Sequence, residues 1–120
     1  MFGQYISANL RLYSLRHGGM KLSTRAAANY TRGELAKALR SRSAYQTNVL
    51  IAGWDEDTGA SLYFLDYLST LHKQNTAAHG YGAFFSLALL DKSWSPGLSV
   101  EEGTCHDSIS RTCPCPYRRE

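Results

Sequence analysis

Residues 48–69 read NVLIAGWDEDTGASLYFLDYLS. Val49, Leu50, Ile51 and Ala52 form an unbroken apolar run, which predicts a strand covered on both faces rather than one with a wet side. Residues 55–59 (DEDTG) supply turn chemistry, and ASLYFLDYLS then resumes β-rich composition with Tyr63, Phe64 and Tyr67, so the pair reads as an antiparallel hairpin. So apolar a hairpin needs layers to pack against, and the rest of the chain has to provide them.

Upstream, Phe2, Tyr5, Ile6, Asn9, Leu10 and Tyr13 recur at helical spacing and His17-Gly18-Gly19 supplies a stop, predicting a helix over residues 2–16. Ser23 or Thr24 can cap a second helix that continues to about residue 42, with Ala27, Ala28, Thr31, Leu35, Ala38 and Leu39 as its inner stripe. Downstream, the polar residues 71–76 (LHKQNT) fit a short third strand, and residues 81–92 a buried helix broken by Ser95-Pro96-Gly97. Ser99-Val100-Glu101-Glu102 matches a capping box. Gly103, the loss of apolar spacing and the later Pro114 and Pro116 predict that no helix follows it. No internal repeat or linker is visible. The element order describes an α+β half-sandwich with two helices on one side of a sheet and no cover for the other.

Composition narrows the classes. At 120 residues, 43% hydrophobic and 19% charged, the chain has the makeup of one globular domain. A net charge of +3 falls short of the clustered excess of a dedicated nucleic-acid binder. The second helix does carry Arg25, Arg32, Lys37, Arg40 and Arg42, which could grip phosphate, but few aromatics interleave with them and a solvated or subunit-facing rim is the plainer reading. The run GAFFSLALL (residues 82–90) is about half of the roughly 20 residues a membrane-crossing helix needs. No secretory leader pattern opens the sequence, so a cytoplasmic or nuclear location is expected. Asn29-Tyr30-Thr31 matches a glycosylation acceptor, a tripeptide that arises often by chance.

Chemistry motifs are sparse. Cys105, Cys113 and Cys115 all fall near the C-terminus, so no disulfide framework staples the body, and with His106 they lack the paired C-x-x-C knuckles of a zinc site. Neither G-x-S-x-G, H-E-x-x-H nor a phosphate-binding P-loop occurs. Gly80-Tyr81-Gly82 could cradle an anion at a helix start, although tight packing explains it as well. The four histidines, 17, 72, 79 and 106, show no ligand spacing, and Asp55, Glu56 and Asp57 lack the alternation of a calcium loop. No catalytic, cofactor-binding or metal-binding residue is assigned, and no cofactor is expected.

Three ordered blocks, TRAAANYTRGELAKALRSR, NVLIAGWDEDTGASLYFLDYLS and AAHGYGAFFSLALLD, together resemble the proteasome beta-subunit family over about residues 2–103. The resemblance implies a four-layer αββα sandwich of the Ntn-hydrolase type, of which this chain would hold a part without the N-terminal strands and the C-terminal portion. It also implies a place in the seven-membered ring of the 20S core, against neighbouring alpha and beta subunits, with no nucleic-acid or membrane partner. Active members use an N-terminal threonine whose hydroxyl and α-amine act together, supported by a lysine. By the same comparison the chain starts inside the family's first helix, and Met1 is not that threonine. Catalytic relatives carry G-S-G-S where this chain has Gly80-Tyr81-Gly82-Ala83, leaving Ala83 at the supporting serine's place. The expected role is therefore a non-catalytic subunit that completes the ring while sister subunits carry out ATP- and ubiquitin-dependent degradation. Two alternatives are an active threonine hydrolase cut from a longer precursor and a basic nucleic-acid module.

Residues 1–103 are thus expected to form a partial beta-subunit domain and residues 104–120 a divergent, irregular tail. A sheet without its facing layer leaves apolar surface in water at roughly 25 cal/mol per Å². Poor solubility or partial melting of the free chain is the expected consequence.

Overall fold

A computed structural model describes residues 1–109, with side chains through residue 104. The elements are α1 (Phe2–Arg16), α2 (Thr24–Leu39), β1 (Val49–Asp55), β2 (Gly59–Leu65), β3 (Leu71–Gln74), α3 (Ala83–Ser93) and α4 (Val100–Ile109). They fall into two compact units, Met1–Gln74 and Asn75–Glu120. The first unit ends with the last strand, and residues 75–82 after it form neither strand nor helix.

In the first unit the three strands form one antiparallel sheet in the order β1-β2-β3. Val49, Ile51 and Gly53 lie across from Leu65, Tyr63 and Ser61, and Leu65 in turn from Leu71. These residues face the helices. Leu50, Ala52 and Trp54 pair with Phe64, Leu62 and Ala60 on the other face. The strand period of two therefore splits the apolar run of β1 between a covered and an uncovered side. Cover on both faces, expected from the unbroken run, is not observed: Leu50 is 41% exposed and Trp54 68%.

The core is built by Phe2 and Ile6 of α1, Leu35 of α2 and Leu65 of β2, with Leu10, Tyr30, Val49, Ile51 and Leu71 packed around them. Each fully buried large apolar side chain contributes about 1.5–3 kcal/mol. The helix starts and stops follow from local chemistry. The Ser23 hydroxyl accepts from the Ala26 amide at 3.2 Å, capping α2. Gly18 and Gly19 adopt φ of 64° and 90°, which lets the Gly19 amide turn back to the Ser14 carbonyl and close α1. Helix α2 ends at Leu39 rather than residue 42, and Leu39 itself is 39% exposed; of the expected inner stripe Ala28, Thr31 and Leu35 are buried, together with Thr24, and Ala27 and Ala38 are half-buried. Tyr5, placed on the inner face of α1 by its spacing, is exposed and donates instead to Glu34.

The second unit departs furthest from expectation. Helix α3 begins at Ala83, just after Gly80 in the left-handed region (φ 87°), and none of its residues is buried. The reading of a buried helix over residues 81–92 is corrected to an exposed apolar one. Helix α4 does form. The Ser99 amide donates to the Glu102 carboxylate at 2.9 Å and the Glu102 amide to the Ser99 hydroxyl at 3.2 Å. A capped start offsets the roughly 1 kcal/mol that a glycine such as Gly103 costs inside a helix. The backbone expected to be irregular after Gly103 is therefore helical as far as Ile109. The remainder of the expected tail, with Cys113, Cys115, Pro114 and Pro116, lies outside the described residues.

Candidate assembly surface

The polar groups that the sequence offers for chemistry are occupied by the fold. Asp55, a candidate calcium ligand at the end of β1, accepts the backbone amide of Thr24 with both carboxylate oxygens, at 3.1 and 3.0 Å. It is a charged cap on the N-terminus of α2, where a negative group meets the positive end of the helix dipole. Gly53 lies beside it because nothing larger fits: a Cβ there would come within 2.2 Å of the Thr24 hydroxyl. The Gly53-Trp54-Asp55 triplet thus admits α2, aims an indole outward and caps the incoming helix.

Asp66 organises the β2–β3 turn in the same manner. Its carboxylate accepts from the amides of Leu68 and Thr70 at 3.0 and 2.8 Å, and the Asn48 side chain accepts from the Tyr67 amide. Ser69 is driven to φ 66° with its hydroxyl buried and unpartnered, while Arg32 donates to its carbonyl at 3.1 Å. Motif reading passed over Asp55 as a cap and Asp66 as a turn organiser.

The basic helix is partly spent in the same way. Lys37 donates to Glu34 at 2.8 Å, and Tyr5 reaches the other oxygen of that carboxylate from α1 at 3.2 Å. The Lys37 hydrogen bond holds the Glu34 carboxyl below its ordinary value, and Glu34 in turn raises the Lys37 amine. Desolvation, then the Glu34 charge, raises Tyr30. His17 stacks on Tyr13 at 4.1 Å and bonds its carbonyl, and His72 is exposed on β3. Among the described residues no group of three His, Cys, Asp or Glu side chains could hold a metal ion. Gly80-Tyr81-Gly82 precedes α3 with Tyr81 95% exposed, and Gly82 gives the helix no side-chain cap. Ala83 is the first residue of α3.

What the described residues do present is apolar surface. In the first unit it is the uncovered sheet face with Leu50 and Trp54; in the second it is α3, with Phe84 81% and Phe85 79% exposed. Exposed aromatic surface of this kind marks a contact surface. No helix among the described residues is long and apolar enough to cross a membrane.

A two-layer α+β unit with one covered and one apolar, exposed sheet face has the form of a component of a larger assembly. Residues 1–107 match the family model described as "Proteasome subunit", and the chain belongs to that family. It is 52% identical over 101 residues to "Proteasome subunit beta type-2-B" of Arabidopsis thaliana, covering 84% of this chain and 50% of the relative. To "Proteasome subunit beta type-2" of Oryza sativa it is 54% identical over 101 residues, covering 84% and 47%. "Probable proteasome subunit beta type-4" of Neurospora crassa is 43% identical over 123 residues, covering 98% of this chain and 60% of the relative, so that likeness runs past Gly103. The chain spans about half the length of the curated relatives it matches.

Proposed function

We propose that this chain is a non-catalytic beta subunit of the 20S proteasome core, or a piece of one, that completes the beta ring against neighbouring alpha and beta subunits. The observation that carries the reading is identity above 50% to relatives named beta type-2, joined to apolar surfaces left open on the sheet and on α3. Its finer fold is part of the proposal: α1 and α2 with the sheet would be two of the four layers of an αββα sandwich. Sister subunits would hydrolyse peptides, in support of ubiquitin-dependent degradation in cytoplasm and nucleus. Ala83 supports the lack of catalysis, since the resemblance puts a serine there in active relatives and a methyl group cannot hydrogen-bond. Two of the five cationic groups that would favour a nucleic-acid role are engaged within the fold, Lys37 by Glu34 and Arg32 by the Ser69 carbonyl.

The test is native size and activity together. A tagged copy of the chain expressed in cells is expected to co-migrate on native gels with a very large peptidase-active particle and to appear in both cytoplasmic and nuclear fractions. Cleavage of oligopeptides by the purified chain alone would overturn the non-catalytic reading, and a lone small species in cells the structural one.

A further inference from the structure

The turn joining β2 to β3 is both strained and enclosed. The Ser69 amide donates to the Asp66 carbonyl at 3.0 Å and the Asp66 amide to the Thr70 carbonyl at 3.2 Å. Tyr67, Leu68 and Ser69 therefore form a three-residue hairpin loop whose last member is left-handed. Glycine ordinarily fills that place, because a side chain there crowds the backbone. Ser69, at φ 66°, carries this steric cost. It carries a second one: the residue is 6% exposed, and its hydroxyl, enclosed by the described residues, has no hydrogen-bond partner among them. Both costs arise from atoms already packed around Ser69.

One bond from outside the turn works against these costs. Arg32, on α2 and 37 positions away in sequence, donates from Nε to the Ser69 carbonyl at 3.1 Å. A hydrogen bond from a charged group is of the same order as the two costs, so holding and releasing the turn are nearly balanced. We propose that Arg32 is a latch: it keeps the β2–β3 turn in a strained form that otherwise relaxes by rotation of Ser69 to negative φ, carrying the hydroxyl out to water. The Asp66 carboxylate accepts from the Leu68 amide before Ser69 and from the Thr70 amide after it. Rotation at Ser69 moves the two peptide groups beside it, so the Ser69 and Thr70 amides lose their Asp66 partners while Leu68 keeps its own. The latched form predominates, with the released one populated at about 1–10%. α2 and the turn are thereby coupled. A displacement of α2 that draws the guanidinium away frees the turn, and whatever holds the turn in its strained form favours the seating of α2.

Residue-resolved hydrogen exchange on the full chain, in whichever assembly it is recovered, tests the latch. Arg32 lies at an exposed position of α2, where alanine keeps the helix. Arg32→Ala is expected to lower the protection of the Ser69 and Thr70 amides by about tenfold or more, leaving Leu68 and the β1–β2 ladder within about twofold of wild type. Ser69→Gly should raise protection at the same two amides by about fivefold, since the strain and the orphaned hydroxyl both go. The double variant should return to within a few-fold of wild type. Unchanged protection at Ser69 and Thr70 in Arg32→Ala, a loss spread evenly over the sheet, or Ser69→Gly exchanging as fast as wild type would each overturn the proposal.

Discussion

Helices α2 and α3 reverse the usual relation between composition and burial. α3 (AFFSLALLDKS) is the more apolar and has no buried residue, whereas α2 (TRAAANYTRGELAKAL) is small, polar and basic and buries Thr24, Ala28, Thr31 and Leu35. Burial requires a complementary surface within reach, and α2 has one in the sheet. Its small residues and the absent side chain of Gly53 allow the close approach that Asp55 then fixes. For α3 the described residues provide no comparable seat. Hydrophobicity therefore states a demand, and packing decides whether it is met.

The strongest way to break this contrast is to truncate both helices. Leu35→Ala, at 1% exposure in the core, is expected to lower stability by about 2–5 kcal/mol in urea denaturation. Phe84→Ser should change it by no more than about 0.5 kcal/mol and raise solubility. Equal losses in the two variants would mean that α3 is as well seated as α2.

Gly53→Ala probes the seat itself, and an overpacking loss of about 1–3 kcal/mol is expected from the forced movement of Thr24. Adding Thr24→Ala should recover part of it, so a purely additive double-mutant cycle would refute the steric account. Removing the cap with Asp55→Ala is expected to lose about 0.5–2 kcal/mol of unfolding free energy, with α2 fraying first in hydrogen exchange. Ser69→Gly works in the opposite direction: it relieves a left-handed residue and deletes an unpartnered buried hydroxyl, and should stabilise by about 1 kcal/mol.

The smallest effect concerns the Glu34–Lys37 pair within α2, whose carboxylate also accepts from Tyr5 of α1. Glu34 is held below its ordinary value, so its stabilisation is complete above the unfolded carboxylate range of about 4.3 and is lost as pH falls through the lower folded value. Lys37 is raised, so its share is complete below the unfolded value of about 10.4 and is lost as pH rises through the higher folded one. Lys37→Ala should flatten both shallow slopes, and high salt should do the same to wild type.

Much of the fold was legible residue by residue. Helix α1, the cap at Ser23, the hairpin around residues 55–59, the third strand and the capping box at Ser99 all carry local signals that the structure honours. The misreadings arose where a long-range partner decided the outcome. α3 was expected to be buried because it is apolar, and β1 was expected to have two covers because its run is unbroken. α4 was expected to fail because Gly103 was weighed above the cap. At the candidate surface, Asp55 was read only within a turn that lacks the alternation of a calcium loop and Asp66 was given no role, since their partners, the amides of Thr24, Leu68 and Thr70, come from the backbone and leave no mark in composition.

Alternation, capping and turn residues set the elements and their register, since those depend on neighbours a few positions away. The sequence blocks set the family by the same short-range specificity. Which side of β1 stays open, why Gly53 must be glycine and what Asp55 holds were decided only when α2 met the sheet. Such contacts join residues about thirty positions apart, and a linear pattern carries no record of which distant group will arrive.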